Sequence, residues 1–386
     1  MKKTILRLSI IVVAVCLLFF LLLPILIDKY LNGVVEHPAN QPSPQAIALH
    51  KKLLIADLHA DCLLWNRNLL ERNSRGQVDL PRLIEGNVAL QAFTVVTKMP
   101  PVFEYEGNSG SIDLITPLAV AQGWPIKCWR SLKERALYQA EKFHKLAAQS
   151  NEKFVVIQSA NDLSAYLERR KQENDLTAGF LGIEGAHALD GDLDNLDVLF
   201  NAGFRMMAPT HFFDNEIGGS AHGVTKGELT EMGTEMIRRM EARKMIVDLA
   251  HASPEVIKDV VAMSTRPVVI SHTGVRGTCN NNRNVSDDVL RLVAGTGGVI
   301  GIGFWETAVC GRDAKSIARS IRYVANLVGV EHAGLGSDFD GAVPQPFDAS
   351  GLVQITDALL ADGFSDEEIE KIMGGNVLRL LLGNLP

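Results

Sequence analysis

The sequence predicts an α/β chain, a parallel (β/α)8 TIM barrel carried on an N-terminal transmembrane anchor. Three observations point there. Eight short apolar runs alternate with amphipathic helical stretches between Leu53 and Asp338. Five of the apolar runs stop at residues able to bind a metal or move a proton: His59 with Asp61, Glu184, His251, His272 and Asp338. The run Leu8 to Ile27 carries no charge at all. One such strand end is unremarkable, but five in one chain match the C-terminal rim of a parallel barrel, where the active sites of that architecture gather.

Composition sets the outer limits. The 386 residues are 47% hydrophobic and 22% charged, ordinary for a globular chain and ample for one large domain. A net charge of −7 offers no basic surface, so no nucleic-acid partner is expected.

The N-terminus comes first along the chain. Lys2, Lys3 and Arg7 precede the uncharged run, whose length suits a bilayer core of roughly 30 Å. A signal-peptide core is shorter and leads to small residues at a cleavage site. Here the chain continues as LPILIDKYLNGVVEHP with no such site, and Cys16 follows Val15 in the middle of the run. Residues 1–28 are therefore expected to be an uncleaved signal anchor, with a cleaved signal as the alternative. The basic flank keeps the N-terminus in the cytoplasm and sends the rest outside, to the periplasm or the extracellular space. Residues 29–50, with Pro38, Pro42 and Pro44, read as a polar tether, and residues 51–386 as the barrel domain.

The expected strands are Leu53–His59, Val88–Val96, Gly179–Glu184, Phe204–His211, Met245–His251, Pro267–His272, Gly298–Phe304 and Ala333–Asp338. The clearest helix is Ser131–Gln149, with Ser131 as its N-cap. SPEVIKDVVAM and SDDVLRLVAG open with Ser and an acidic first turn, and SDEEIEKIMGGNVLRLL reads as a helix pair split at Gly374-Gly375. The stretch Pro100–Trp129 is loop-like with apolar patches, either a lid or an insertion.

Strand residues i and i+2 point to one side, so His59 and Asp61 can reach one metal. Mixed imidazole and carboxylate ligands suit zinc or a similar ion. Each residue also has a plain structural reading. His-x-Asp occurs often by chance, and Glu184 between FLGI and GAH could be half of an ion pair. His251 and His272 could be satisfied core histidines, Arg283 in CNNNRN a surface arginine, and His211 a loop cap. In SDFD, Asp340 rivals Asp338, which is preferred because it faces the barrel mouth. The coincidence of five groups at strand ends weakens the plain readings together. They would serve two ions if Glu184 bridges them, and two ions about 3.5–4 Å apart can share a hydroxide and polarise a carbonyl.

The stretches DLHAD, GIEGAH, APTHFFDN, VDLAHAS, ISHTGVRGTCNNNRNVSDD and GLGSDFDG, in this order, resemble the membrane (renal-type) dipeptidases, a branch of the metal-dependent hydrolase barrels. The resemblance covers most of the chain from Leu53 onward. It implies two zinc ions per chain, the first held by His59 and Asp61, the second by His251 and His272, with Glu184 and a water or hydroxide bridging them. It implies that His211 binds the scissile carbonyl, that Arg283 grips the terminal carboxylate of a dipeptide substrate, and that Asp338 is the acid/base. Cys279 and Cys310 fall where that family has a disulfide. The cysteine that joins subunits in animal members has no counterpart, and the ending VLRLLLGNLP is too short for a C-terminal lipid signal, so a homodimer is one assembly among others.

A zinc-dependent dipeptidase is therefore the leading expectation. Two others stand beside it. One is a relative that cleaves another amide, such as a β-lactam or a dipeptide containing a D-amino acid. The other is a membrane-anchored barrel that has lost catalysis and binds a ligand, which the complete set of metal-type residues argues against. Phosphotriesterase- and deaminase-type barrels usually begin with His-x-His, and Asp61 disfavours them.

Overall fold

The computed structural model describes residues 2–35, 41–101 and 104–386. Nine strands form one parallel sheet: β1 (Ile55–Ala60), β2 (Val88–Val96), β3 (Phe154–Val156), β4 (Thr177–Glu184), β5 (Phe204–Met207), β6 (Ile246–Val247), β7 (Val269–Thr273), β8 (Val299–Ile302) and β9 (Ala333–Leu335). The order is β6-β5-β4-β2-β1-β9-β8-β7, with β3 paired to β4 outside that path. A parallel bridge from Asp248, just after β6, to Val269 of β7 brings the two ends of the sheet together. Eight strands thus curl into the expected barrel.

Several strands are shorter than their apolar runs. The run Phe204–His211 is a strand only to Met207, and Met245–His251 only at Ile246–Val247. The physical reason is that the functional residues lie just past the ladder. His251 and Asp338 adopt left-handed backbone angles, with φ of 63° and 60°. That conformation ends a strand and turns the side chain out of the pleat. The added strand β3 is three residues long and half-buried, too short for a period to register.

Helices pack outside the barrel, and their caps follow the sequence. The Ser131 side chain accepts from Glu134 N and opens Leu132–Gln149, and Ser253 does the same for Pro254–Met263. Ser286 makes no side-chain cap bond. The C-terminal pair does break where two glycines meet. A Cβ at Gly374 would stand 1.9 Å from the Leu54 carbonyl oxygen, so only glycine lets this turn rest on the start of β1.

The N-terminal helix Lys3–Leu31 is by length and composition suited to a membrane span or a signal sequence. The stretch expected as a tether is structured at both described ends. Its first residues continue that helix to Leu31, and Asn32 is buried. Residues 36–40, including Pro38, lie outside the described residues. Ser43 then caps a helix, Pro44–His50. The buried His50 ring reaches Thr356 Oγ1 at 2.8 Å and the Gly86 carbonyl at 3.1 Å. The polar composition that suggested a linker instead serves docking.

In the stretch Pro100–Trp129, residues 102–103 are not described. The remainder holds a short helix, Ile115–Ala121, and a 3-10 turn at Ile126–Trp129. Ile115, Ala119, Trp124 and Cys128 pack with Trp65, Val96 and Met99 in one apolar cluster. This insertion therefore sits at the barrel mouth.

Candidate metal centre

β1 carries Asp57 and His59 on one side, and Asp61 follows directly after its last residue. Asp57 forms a polar floor: its carboxylate accepts from Ser337 N (2.7 Å), Ser337 Oγ (2.6 Å) and Gln91 Nε2 (2.7 Å). Burial pushes its pKa up, against those hydrogen bonds. One step further toward the rim, His59 is fully buried, and its Nε2 lies 3.4 Å from Asp61 Oδ2 and 3.8 Å from Glu184 Oε1. Thr94 Oγ1 donates to Asp61 Oδ1 at 2.6 Å, fixing that carboxylate.

Glu184, the last residue of β4, is the hub. Its Oε1 lies 3.0 Å from His251 Nε2 and 3.3 Å from His272 Nε2, and its Oε2 lies 3.2 Å from His211 Nε2. The two nitrogens of His251 and His272 are themselves 2.9 Å apart. Ser271 lies behind this group. Its hydroxyl is 2.9 Å from His272 Nδ1 and 3.1 Å from His59 Nδ1, so it turns both Nε2 atoms inward. Such a partner behind the ligand is how metal-binding imidazoles are usually oriented.

The electrostatics follow from burial. The carboxyl of Glu184 is pushed well above its ordinary value by burial and then by the neighbouring Asp61. Burial pushes Asp338 up to about 7. His251, His272 and His211 are held well below the ordinary imidazole range, again chiefly by burial. His59 goes the other way: burial opposes its charge, but Asp61 and Glu184 outweigh it and raise it to about 10.

Arg283 reaches the same pocket from the loop after β7. Its Nη2 donates to the His272 carbonyl at 3.2 Å, and its guanidinium lies 4.9 Å from the Trp305 ring centre. Asparagines brace this loop. Arg283 N donates to Asn281 Oδ1 (2.9 Å), Asn281 donates to the Thr307 carbonyl (2.8 Å), and Asn284 donates to the Cys279 and Ala308 carbonyls (2.7 and 2.9 Å). Cys279 and Cys310 are disulfide-bonded, tying this loop to the turn after β8.

A divalent cation fits these residues. His59, Glu184 and His272 offer donor atoms within 4.8 Å of one another, and so do Glu184, His211 and His251, and His59, Asp61 and Asp338. Asp61, Glu184 and Asp338 are three buried carboxylates faced by two cationic groups, the Arg283 guanidinium and the His59 ring that Asp61 and Glu184 keep protonated. Burying unbalanced charge is costly unless a cation or proton compensates. His211 gives a further test. Its Nδ1 lies 3.2 Å from the Lys98 carbonyl, an acceptor only, so Nδ1 carries the hydrogen. Its Nε2 then presents a lone pair toward Glu184, an arrangement that a proton or a metal between them would relieve.

All eight predicted site residues meet here. Asp61, Glu184, His211, His251, His272, Arg283 and Asp338 line one pocket, and His59 lies beneath it. The apolar walls are Leu64, Val96, Met99, Phe212 and Trp305, with Tyr105 arriving from the insertion. Sequence reasoning passed over Asp57, Ser271 and Tyr105. Asp57 had a signal, since it shares the i, i+2 side with His59. Ser271 precedes a ligand-type histidine, yet serines in strands are common. Tyr105 lies in a stretch without periodicity.

The family model described as membrane dipeptidase (peptidase family M19) matches residues 44–383. A protein of Schizosaccharomyces pombe described as an uncharacterized dipeptidase is 29% identical over 324 residues, 80% of this chain and 73% of its own length. A dipeptidase of Aspergillus oryzae is 27% identical over 353 residues, 85% of this chain and 77% of its own. Among solved structures, a metallopeptidase of Rhodobacter sphaeroides, liganded with a phosphinate mimic of the dipeptide L-Ala-D-Ala, shares the fold. Its TM-score is 0.68 at 22% identity, covering 86% of this chain and 99% of that one.

Proposed function

The chain belongs to the membrane dipeptidase family, peptidase family M19, and on that premise we propose that it is a zinc-dependent dipeptidase working with two ions per chain. The observation that carries this reading is the convergence of three imidazole Nε2 atoms, from His211, His251 and His272, on the single carboxylate of Glu184. His59 and Asp61 would hold one ion, His251 and His272 the other, and Glu184 would touch both. When bound, the ions would supply Lewis-acid polarisation of the scissile carbonyl and a water of lowered pKa.

The protein's own groups do the rest. Arg283, braced by its asparagine loop, presents a planar fork that suits the free C-terminal carboxylate of a dipeptide. Asp338, a buried carboxylate at the pocket wall, takes the proton of the attacking water and returns it to the leaving amine. The pocket is small and apolar-walled, which favours short substrates. His211 stands where it could hydrogen-bond the carbonyl oxygen, provided Nε2 is protonated. A second reading, that His211 is a further metal ligand, is favoured by its Nδ1 contact to Lys98, which leaves Nε2 bare.

The membrane assignment is part of the proposal: Lys3–Leu31 would anchor the chain, with the barrel outside the cytoplasm. The test uses the full chain purified in detergent without chelator. Metal content and hydrolysis of L,L and L,D dipeptides are measured together. Near two zinc per chain with chelator-sensitive turnover is expected. Two zinc without dipeptide turnover would move the substrate to another amide, such as a β-lactam, and the absence of both would favour a binding protein.

A further inference from the structure

The loop that follows β9 has an unusual backbone. Asp338, Asp340 and Ala342 adopt φ of 60°, 60° and 61°, three left-handed non-glycine residues in five positions. L residues rarely take this conformation, and it persists when surrounding structure holds it. Asp338 lines the metal pocket, as do Gly341, Ala342 and Val343 further along the loop.

Barrel residues hold the middle of the loop, where Asp340 is bonded by Gln77, Val78 and Trp65, and the segment at the end of the N-terminal helix holds the rest. Asn32 is buried; its Oδ1 accepts from Ala342 N at 2.9 Å, and its Nδ2 donates to Asp28 Oδ1 at 2.9 Å. Gly33 and Val35 pair with Gln345 through their backbones: Gln345 N donates to the Gly33 carbonyl at 3.0 Å, and Val35 N donates to the Gln345 carbonyl at 2.8 Å. The Gln345 side chain in turn donates to the carbonyls of Ser337 (3.0 Å) and Asp338 (3.2 Å). Gln77 bridges Gly33 and Val343. Asp28, also buried, lies 2.7 Å from Arg75 and 3.5 Å from Arg67, and Arg67 reaches Asp340 at 2.7 Å. Two routes therefore run from residues 28–35 to this loop: one through Asn32, Gln77 and Gln345, which bond its outgoing arm from Ala342 to Gln345, and one from Asp28 through Arg67 to Asp340.

We infer that residues 28–35 form a positioning strap for the metal centre, locking the loop after β9 in the conformation that presents Asp338 to the substrate. The membrane helix is then continuous with the catalytic framework, and Asn32 and Asp28 are positioning residues. The inference rests on the reading of Asp338 as the acid/base. A strap that merely docked the anchor would need no bond to the inner edge of this loop. The bond from Ala342 to Asn32, and the Gln345 bonds on the carbonyl of Asp338 itself, are what a positioning role requires.

The experiment compares the native full chain in detergent with Asn32→Ala. Four quantities are read: hydrogen exchange of the amides of residues 338–343 and 345, bound metal, and kcat and KM on a dipeptide. The expected result is exchange at Ala342 and Gln345 faster by tenfold or more, kcat lower by tenfold or more, KM within twofold and metal content unchanged. A folded variant with exchange or kcat within twofold of native overturns the inference, as does loss of kcat only in step with loss of metal. If Asn32→Ala does not fold, the isosteric Asp28→Asn, which cuts the second route, is judged by the same criteria. A native chain without dipeptide turnover would count against the proposed function, and the exchange measurement would still decide whether the strap holds the loop.

Discussion

The Nε2 atoms of His251 and His272 lie 2.9 Å apart, with the Glu184 carboxylate within 3.3 Å of both. Both rings are pushed well below the ordinary imidazole range, so neither is expected to carry a second proton. At least one lone pair therefore faces the other ring or the carboxylate, and a metal ion is the natural occupant of that point.

Glu184→Gln keeps the shape of the hub and removes its charge. The variant should lose bound metal and about a thousandfold or more in kcat, the scale of effect seen when a metal-dependent step loses its electrophile. Metal analysis on the purified variant alongside turnover checks this. Retained activity would sink the two-ion assignment.

Arg283→Lys tests the carboxylate fork. Lysine keeps the charge but offers no bidentate geometry, and truncating a buried charge pair typically costs about 2–5 kcal/mol. KM should rise by roughly thirtyfold or more, with kcat changed less. A dipeptide amidated at its C-terminus supplies the control: it should be a poor substrate for the native chain and lose little further in the variant.

Metal binding should weaken in acid. His59 in the metal-free cluster is raised to about 10, so at neutral pH it holds a proton that a metal ion must displace. Affinity should fall about tenfold per unit of decreasing pH for each proton displaced, and binding at pH 7 should release protons, which calorimetry in two buffers detects. Asp338, a carboxyl raised to about 7, is a base only above that value, so the rate should fall as pH drops. Because a bound cation draws a carboxyl down, the acid limb should lie at or below pH 7.

Ser271→Ala removes the hydroxyl between His59 and His272 without touching a donor atom. Metal affinity should drop by about 10–100-fold, the usual scale for such partners. Zinc competition against a chromogenic chelator measures it. An unchanged affinity would mean that packing alone orients the two rings.

Much of this was legible in the sequence because the barrel repeats one device. An apolar run stops, and the residue that ends it carries the chemistry, as GIE does at Glu184 and VVISH at His272. Strand limits were less legible because the turn that aims His251 or Asp338 breaks the ladder before the run ends. β3 escaped because three half-buried residues carry no readable period. The strap escaped for another reason: Asp28 and Asn32 are polar and stand among prolines, which reads as linker until their partners, some 40 to 310 positions away, are brought beside them. Long-range pairing of that kind leaves no local pattern.

The docking of Asp28 sets a distance. With Leu8–Ile27 in a bilayer, the first residue past the span is already bonded to the barrel, and the helix Ile115–Ala121 beside the catalytic pocket also touches the N-terminal helix. With that anchor the mouth would lie against the membrane surface, with no tether to let it swing outward. On the proposed anchoring, such closeness would act as a sieve, passing a molecule of two amino acids and turning away a folded protein that presents its own terminus.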